Sequence, residues 1–218
     1  MKSTGFDDFF VVEAEGFSGG IWLLWHKHWG SLEVLKSHRQ FVHTRVTLNA
    51  GGPKMLITFT YGSPNVTLRD VLWRELRTIA GSVTESWAVV RDFNSYLCAS
   101  DKIGGGPPNL VSMNKFRDRI EDCSLSDLGY KGPPFTWEGR GVRKRIDWAL
   151  GNTPWVQTFP QVSVFHLPRL KSDHNLILIK LFEAPGDNLQ RPFHFLASWL
   201  THADFPRVVD GAWKDNMA

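Results

Sequence analysis

Cysteine is scarce in this chain, with two among 218 residues, and tyrosine is nearly as rare, with three. Two thiols, Cys98 and Cys123, build neither a metal cluster nor a disulfide framework, so a reducing compartment is the default and both read as small core residues. Charge of either sign is almost balanced, since 25 Lys and Arg against 22 Asp and Glu leave a formal net charge of +3. That imbalance is too small to identify a nucleic-acid partner, which is recognised by where positive charge sits. No apolar run reaches ~18 residues, which removes a transmembrane helix. The start, Met1 to Asp8, has one Lys and no apolar stretch of secretory length. A nuclear or cytoplasmic protein without a membrane partner is expected, not a secreted one.

Aromatic residues are plentiful by contrast, with 10 Trp and 15 Phe. Such rings fill the space between packed layers more often than they stack on bases. Strand signals dominate: 9–14, 21–25, 33–38, 41–49, 55–61, 87–90, 159–166 and 176–182 alternate or run apolar between turn formers. The apolar run Ile21-Trp22-Leu23-Leu24-Trp25 predicts a strand buried on both sides. Two helices are expected. One spans about Leu68 to Ala80, with Leu72, Leu76 and Ile79 on one face; the other buries Met113, Phe116, Ile120 and Cys123. Two packed sheets with helices outside follow from this pattern.

Polar residues recur where predicted strands end: Tyr61, Asp92 with Asn94, Asp147, and Asp173 with His174. Convergence on one rim of a sandwich would join carboxylates, an amide and an imidazole, a set suited to phosphodiester chemistry. Each has a plainer alternative. Asp92 and Asn94 serve equally well as turn caps, His174 as an exposed histidine, Asp147 as an ion pair with Arg145, and Tyr61 as a turn aromatic.

The combination carries more than its members. Glu15-Gly16-Phe17-Ser18-Gly19-Gly20-Ile21-Trp22, Tyr61-Gly62-Ser63-Pro64, Asp92-Phe93-Asn94 and Lys102-Ile103-Gly104-Gly105 follow one another in the chain. Asp127-Leu128-Gly129, Phe135-Thr136-Trp137, Arg145-Ile146-Asp147 and Ser172-Asp173-His174 complete the order. Together they resemble the endonuclease/exonuclease/phosphatase superfamily, the fold of DNase I, and more narrowly the endonuclease domain of plant LINE-type non-LTR retrotransposons. The resemblance spans about Gly5 to Leu181. It implies an α+β fold, a four-layer α/β/β/α sandwich, and hydrolysis of DNA phosphodiesters with Mg²⁺, or Mn²⁺ in its place. By the same resemblance His174 acts as base or phosphate ligand oriented by Asp147, and Asp92 activates water and shares the metal with Asp173. Asn94 holds the phosphate and Tyr61 donates a hydrogen bond to it.

The resemblance also implies an Asn on a first strand and a metal-binding Glu soon after it, for which this chain offers no candidate. Glu13 and Glu15 fall on the next strand and are not promoted. A domain at 1–183 missing its first strand and helix is therefore expected, then a linker at 184–192 and a tail at 193–218 resembling the segment that leads to a reverse transcriptase. The missing strand would leave a sheet edge open to self-association. Arg91 stands where the family has Gly, so strain and a positive charge are expected beside the acids. A weak or degenerate nuclease is the reading these departures favour, with a non-catalytic nucleic-acid-binding remnant or a phosphatase of the same superfamily as alternatives.

Between Lys131 and Asp147 lie five positive and two negative side chains. Arg140, Arg143, Lys144 and Arg145 form a basic loop expected to contact the phosphates of DNA, with RNA as a second polyanion. His26 and His28 sit two apart at a strand end, and the sequence places no third ligand that would make them a zinc site. Gly104-Gly105-Gly106 lacks the Lys-Ser/Thr ending of a phosphate-binding loop.

Overall fold

A computed structural model of the chain describes residues 5–16, 18–49, 51–182, 204–207 and 209–210. The expected linker at 184–192 lies outside the described residues, as does the expected tail at 193–218 apart from 204–207 and 209–210.

The chain opens with an antiparallel hairpin of β1 (Asp8–Glu15) and β2 (Ser18–Trp25). Strands β3 (Gly30–His38), β4 (Phe41–Leu48) and β5 (Lys54–Tyr61) follow as an antiparallel meander. Helix α1 (Val66–Ala80) then crosses back to β6 (Trp87–Asp92), which pairs parallel to β5. A parallel pair requires such a crossover. Asn65 caps α1 by accepting the Leu68 N–H, so the helix starts two residues ahead of the expected Leu68. Short β7 (Lys102–Ile103) precedes α2 (Leu110–Asp122), whose Asn109 cap accepts the Ser112 N–H and whose buried face is Met113, Phe116 and Ile120.

Beyond α2 come β8 (Leu125–Asp127), the hairpin β9 (Trp137–Gly139) and β10 (Val142–Lys144), and the wholly buried β11 (Asp147–Asn152). Helix α3 (Thr153–Thr158), β12 (Ser163–Leu167) and β13 (Leu176–Lys180) complete the fold. The predicted strand at 159–166 is thus shortened, because Asn152 caps a helix whose C-terminal cap is Phe159. Among the described residues no helix is long and apolar enough to cross a membrane.

The central sheet has six strands in the order β3-β4-β5-β6-β11-β8. On one face Leu72, Trp73 and Leu76 of α1 and Phe116 and Ile120 of α2 pack against Leu56, Trp87, Val89, Trp148 and Leu150. On the other, Met55, Ala88, Val90 and Ala149 meet Trp155, Phe159, Val164, Ile177 and Ile179. Alternation along β6 and β11 feeds both cores, as expected for strands buried on two sides. Among the described residues the β1-β2 and β12-β13 ribbons form two-stranded sheets of their own, with Phe165 of β12 also bridging to Lys131. Strand β2 departs from its expected burial: Ile21 and Leu23 are buried, whereas Trp22 between them is 58% exposed. A hairpin with one packed face exposes every second residue, whatever its hydrophobicity. Helices α1 and α2 cover one face of the central sheet, and α3 with the β12-β13 ribbon packs on the other.

Candidate active site at the sheet rim

Strand direction assembles the site. Because β5 and β6 run parallel, both end at the same rim, with Tyr61 opposite Asp92. Because β11 runs antiparallel to β6, it begins there, with Asp147 opposite Asp92. Three residues distant in sequence thereby become neighbours on adjacent strands. Gly62 keeps the rim tight: a Cβ there would stand 2.7 Å from the Phe93 carbonyl oxygen, and the Gly62 N–H donates to the Asp92 carbonyl at 2.7 Å.

His174 arrives on the loop before β13, where it bridges to Trp137 and its N–H donates to Ser172 Oγ at 3.1 Å. Its Nδ1 lies 2.8 Å from Asp147 Oδ2. Asp147 is fully buried, and its other oxygen accepts from Arg91 at 3.0 Å. Thr136 Oγ1 fixes the start of β11 by accepting the N–H groups of Ile146 and Asp147, both at 3.0 Å. Asn94 adopts φ +47°, gives its N–H to Asp92 Oδ1 at 2.7 Å, and shares its side-chain amide between Asp92 Oδ2 and the Gly62 carbonyl.

Arg91 is the departure with the greatest consequence. Its φ is +98°, a region that costs a residue with a Cβ about 1–3 kcal/mol. The guanidinium is held over the acids by Asp147 and by the Asn175 carbonyl, at 3.1 Å. Arg91 rather than Arg145 is thus the ion-pair partner of Asp147.

Burial, and next the charge of Asp147, push the Asp92 carboxyl up to about 7, against the lowering pull of His174, Asn94 and Arg91. Burial by itself would depress the His174 imidazole, but the hydrogen bond and charge of Asp147, with the charge of Asp92, outweigh it and raise its pKa above the ordinary value. Asp173 sits beside this cluster, exposed, with its carboxylate accepting from the Trp137 indole at 2.8 Å, the main cause of its lowered pKa. Glu13 and Glu15 share a separate cleft with Arg39 and Tyr61, and Glu15 is paired to Arg39 at 2.8 Å.

The structure therefore brings Tyr61, Asp92, Asn94, Asp147 and His174 together and turns the Asp173 carboxylate toward Trp137. Arg91 and Thr136 are the members that strand-end reasoning left out; the positive charge at position 91 was visible, its capture by Asp147 was not. A groove of about 730 Å³ opens onto this rim, lined by Tyr61, Arg91, Asp92 and His174 and farther along by apolar residues of β2, β5 and β13.

The basic hairpin stands beside it, since the Glu138 N–H donates to the Asp173 carbonyl at 3.0 Å. Arg140, at φ +51°, and Gly141, at φ +73°, make its two-residue turn. Arg140 and Arg143 are exposed; Arg143 lies over Phe135 and Lys144 over Trp137. Arg145, expected among the phosphate contacts, is instead 6% exposed. Its guanidinium reaches both Asp127 oxygens at 2.9 and 2.8 Å and stacks 3.7 Å from the Trp148 ring and 4.3 Å from that of Tyr130. It lies in the two-residue connection between β10 and β11, where its N–H donates to the Asp101 carbonyl at 2.9 Å and its side chain turns inward to Asp127.

No family model matches the chain, and no curated protein matches it. Solved structures do. The endonuclease domain of TRAS1, a telomere-specific non-LTR retrotransposon, is 14% identical over 79% of this chain and 78% of that domain, with a TM-score of 0.59. The AP endonuclease LMAP of Leishmania major is 15% identical over 65% of this chain and 54% of that one, with a TM-score of 0.48. The human Nocturnin catalytic domain is 14% identical over 78% and 70%, with a TM-score of 0.47. At these identities the likeness establishes architecture, and the first match carries it.

Proposed function

We propose, from the premise that this chain has the α+β, DNase I-like fold of the endonuclease/exonuclease/phosphatase superfamily, that it is a weak Mg²⁺-dependent phosphodiesterase acting on DNA. The observation that carries the reading is the His174–Asp147 pair beside an Asp92 that is buried and poised near neutrality. A carboxylate whose pKa lies near working pH is suited to take a proton from water. Asp92 would serve as that base and His174, drawn toward the protonated form, would meet phosphate charge. Asn94 and the Tyr61 hydroxyl would position the phosphate.

Asp92 and Asp173 are of the oxygen-donor type a hard cation takes, with the Asp92 oxygens now accepting from Asn94 and the Asp173 carboxylate from Trp137. Asp92 and Asp173 would hold Mg²⁺, which when bound polarises the phosphate and stabilises the leaving oxygen. Arg91 opposes this, because its guanidinium already neutralises Asp147 where cation charge would otherwise be welcome. A single unit charge at about 6 Å contributes about 3 kcal/mol at an effective dielectric near 20.

Supercoiled plasmid with pure protein tests the reading. Slow nicking is expected with Mg²⁺, falling as pH drops because burial and the charge of Asp147 favour the protonated Asp92. Arg91→Gly should relieve the positive-φ strain and lower the Mg²⁺ concentration for half-maximal nicking by about 100-fold. Absence of Mg²⁺-dependent nicking at every pH would favour the second reading, a non-catalytic nucleic-acid module, for which the arginine lodged among the acids is the supporting observation.

DNA, with RNA as the other polyanion, is the partner proposed for Arg140, Arg143 and Lys144. A second copy of this chain is proposed to pair on an exposed sheet edge. Sedimentation should then show dimers, and a concentration-independent monomer would refute that pairing.

A further inference from the structure

At the opposite end of the β1-β2 hairpin from its tight turn, three metal-ligating side chains meet. His26 and His28 follow β2, and the antiparallel register brings the residue ahead of β1 against them: Asp8 pairs with Trp25, and the Asp7 N–H donates to the Trp25 carbonyl at 3.2 Å. Asp7 Oδ2 lies 3.4 Å from His26 Nδ1. One ligand atom from each of Asp7, His26 and His28 falls within 4.8 Å of the others. The third ligand that the sequence could not place is thus supplied by strand pairing.

The geometry points to a site for a divalent transition ion of the Zn²⁺ type, held by Asp7, His26 and His28. Two imidazole nitrogens and one carboxylate oxygen suit Zn²⁺, leave a fourth position open, and are a poor match for Mg²⁺, which takes oxygen ligands. The first ligand is already oriented: Asp7 Oδ2 accepts the Lys27 N–H at 3.0 Å. The His26 ring is flanked by Phe6 at 4.8 Å and Trp29 at 5.0 Å, which restrict its rotation. Lys27, the nearest ammonium in sequence, is drawn off to Asp8 at 3.4 Å. An ion here would pin the start of β1 to the turn between β2 and β3. This matters for a ribbon that pairs with no other strand.

The site shares no residue with the rim and does not depend on the proposed hydrolysis. The whole chain, stripped with chelator, is titrated with Zn²⁺ by calorimetry and with Co²⁺ by visible absorption. One equivalent should bind, the Co²⁺ form should show the d–d bands of a low-symmetry, nitrogen-ligated ion, and millimolar Mg²⁺ should not displace it. His26→Gln and His28→Gln should each weaken Zn²⁺ by about 10–100-fold, with unchanged far-UV circular dichroism because neither side chain belongs to the buried core. His174→Ala should bind Zn²⁺ as tightly as the parent. Absence of stoichiometric binding, binding unchanged in the His26→Gln/His28→Gln double variant, or binding lost in His174→Ala would each overturn the assignment.

Discussion

Replacing His174 by alanine should lower Mg²⁺-dependent nicking by about 10²–10⁴-fold, the range for loss of a positioned acid–base group. Stability should change little, since the side chain sits at the rim and Asp147 keeps Arg91 at 3.0 Å. The residual rate carries a sharper signature. His174 is one of the forces holding the Asp92 carboxyl down, whereas Asp147 is one of those pushing it up. Loss of the imidazole should therefore move the pH midpoint of the remaining activity upward from about 7. Asp147→Asn should move it downward, because a neutral amide no longer repels the ionised Asp92. Shifts in opposite directions distinguish a coupled cluster from two independent losses. Nicking that survives undiminished in His174→Ala would point to a contaminating nuclease and remove the hydrolytic reading.

Arg145→Ala should destabilise the fold by about 2–4 kcal/mol, somewhat below the usual cost of breaking a buried pair because Asp127 is partly exposed and can be hydrated. For a chain of this size that corresponds to a fall in melting temperature of about 5–15 °C. The loss has two parts: Asp127 gives up its partner, and the Trp148 and Tyr130 rings give up the guanidinium between them. Arg145→Lys should recover only part of it, since an ammonium keeps the charge but not the planar stack. DNA affinity measured below the melting transition should keep its salt dependence in Arg145→Ala. The Arg140→Ala/Arg143→Ala variant should do the reverse, keeping its melting temperature and losing about 1–2 from the slope of log affinity against log salt. A weakened salt slope in Arg145→Ala, with no loss of stability, would restore it to the phosphate contacts.

The sequence was most informative where chemistry coincides with a strand end. Tyr61, Asp92 and Asp147 could be picked out because each stands at one end of an apolar run, and pairing of β5, β6 and β11 then sets them side by side at one rim. Helices α1 and α2 were legible for the same reason, their apolar stripes being local and periodic. Reading failed where a residue's neighbours come from elsewhere in the chain. The apolar run in β2 suggested two buried faces, yet a two-stranded ribbon offers only one. A run of basic residues suggested one charged surface, yet the Asp127 carboxylate and the Trp148 and Tyr130 rings hold Arg145 in the core and leave Arg140 and Arg143 outside.

Residue types, their periodicity and their order along the chain determined the strand-rich α+β class, the two long helices and the small set of groups able to handle a phosphodiester. Tertiary structure alone decided that Arg91 occupies the acid cluster, that Arg145 is a structural cation, and that Asp7 joins His26 and His28. Local order governs backbone conformation, but the electrostatic partner of a side chain is fixed by strand register, which joins residues tens of positions apart. The same charge can therefore bind, brace or obstruct according to the strand that lies beside it.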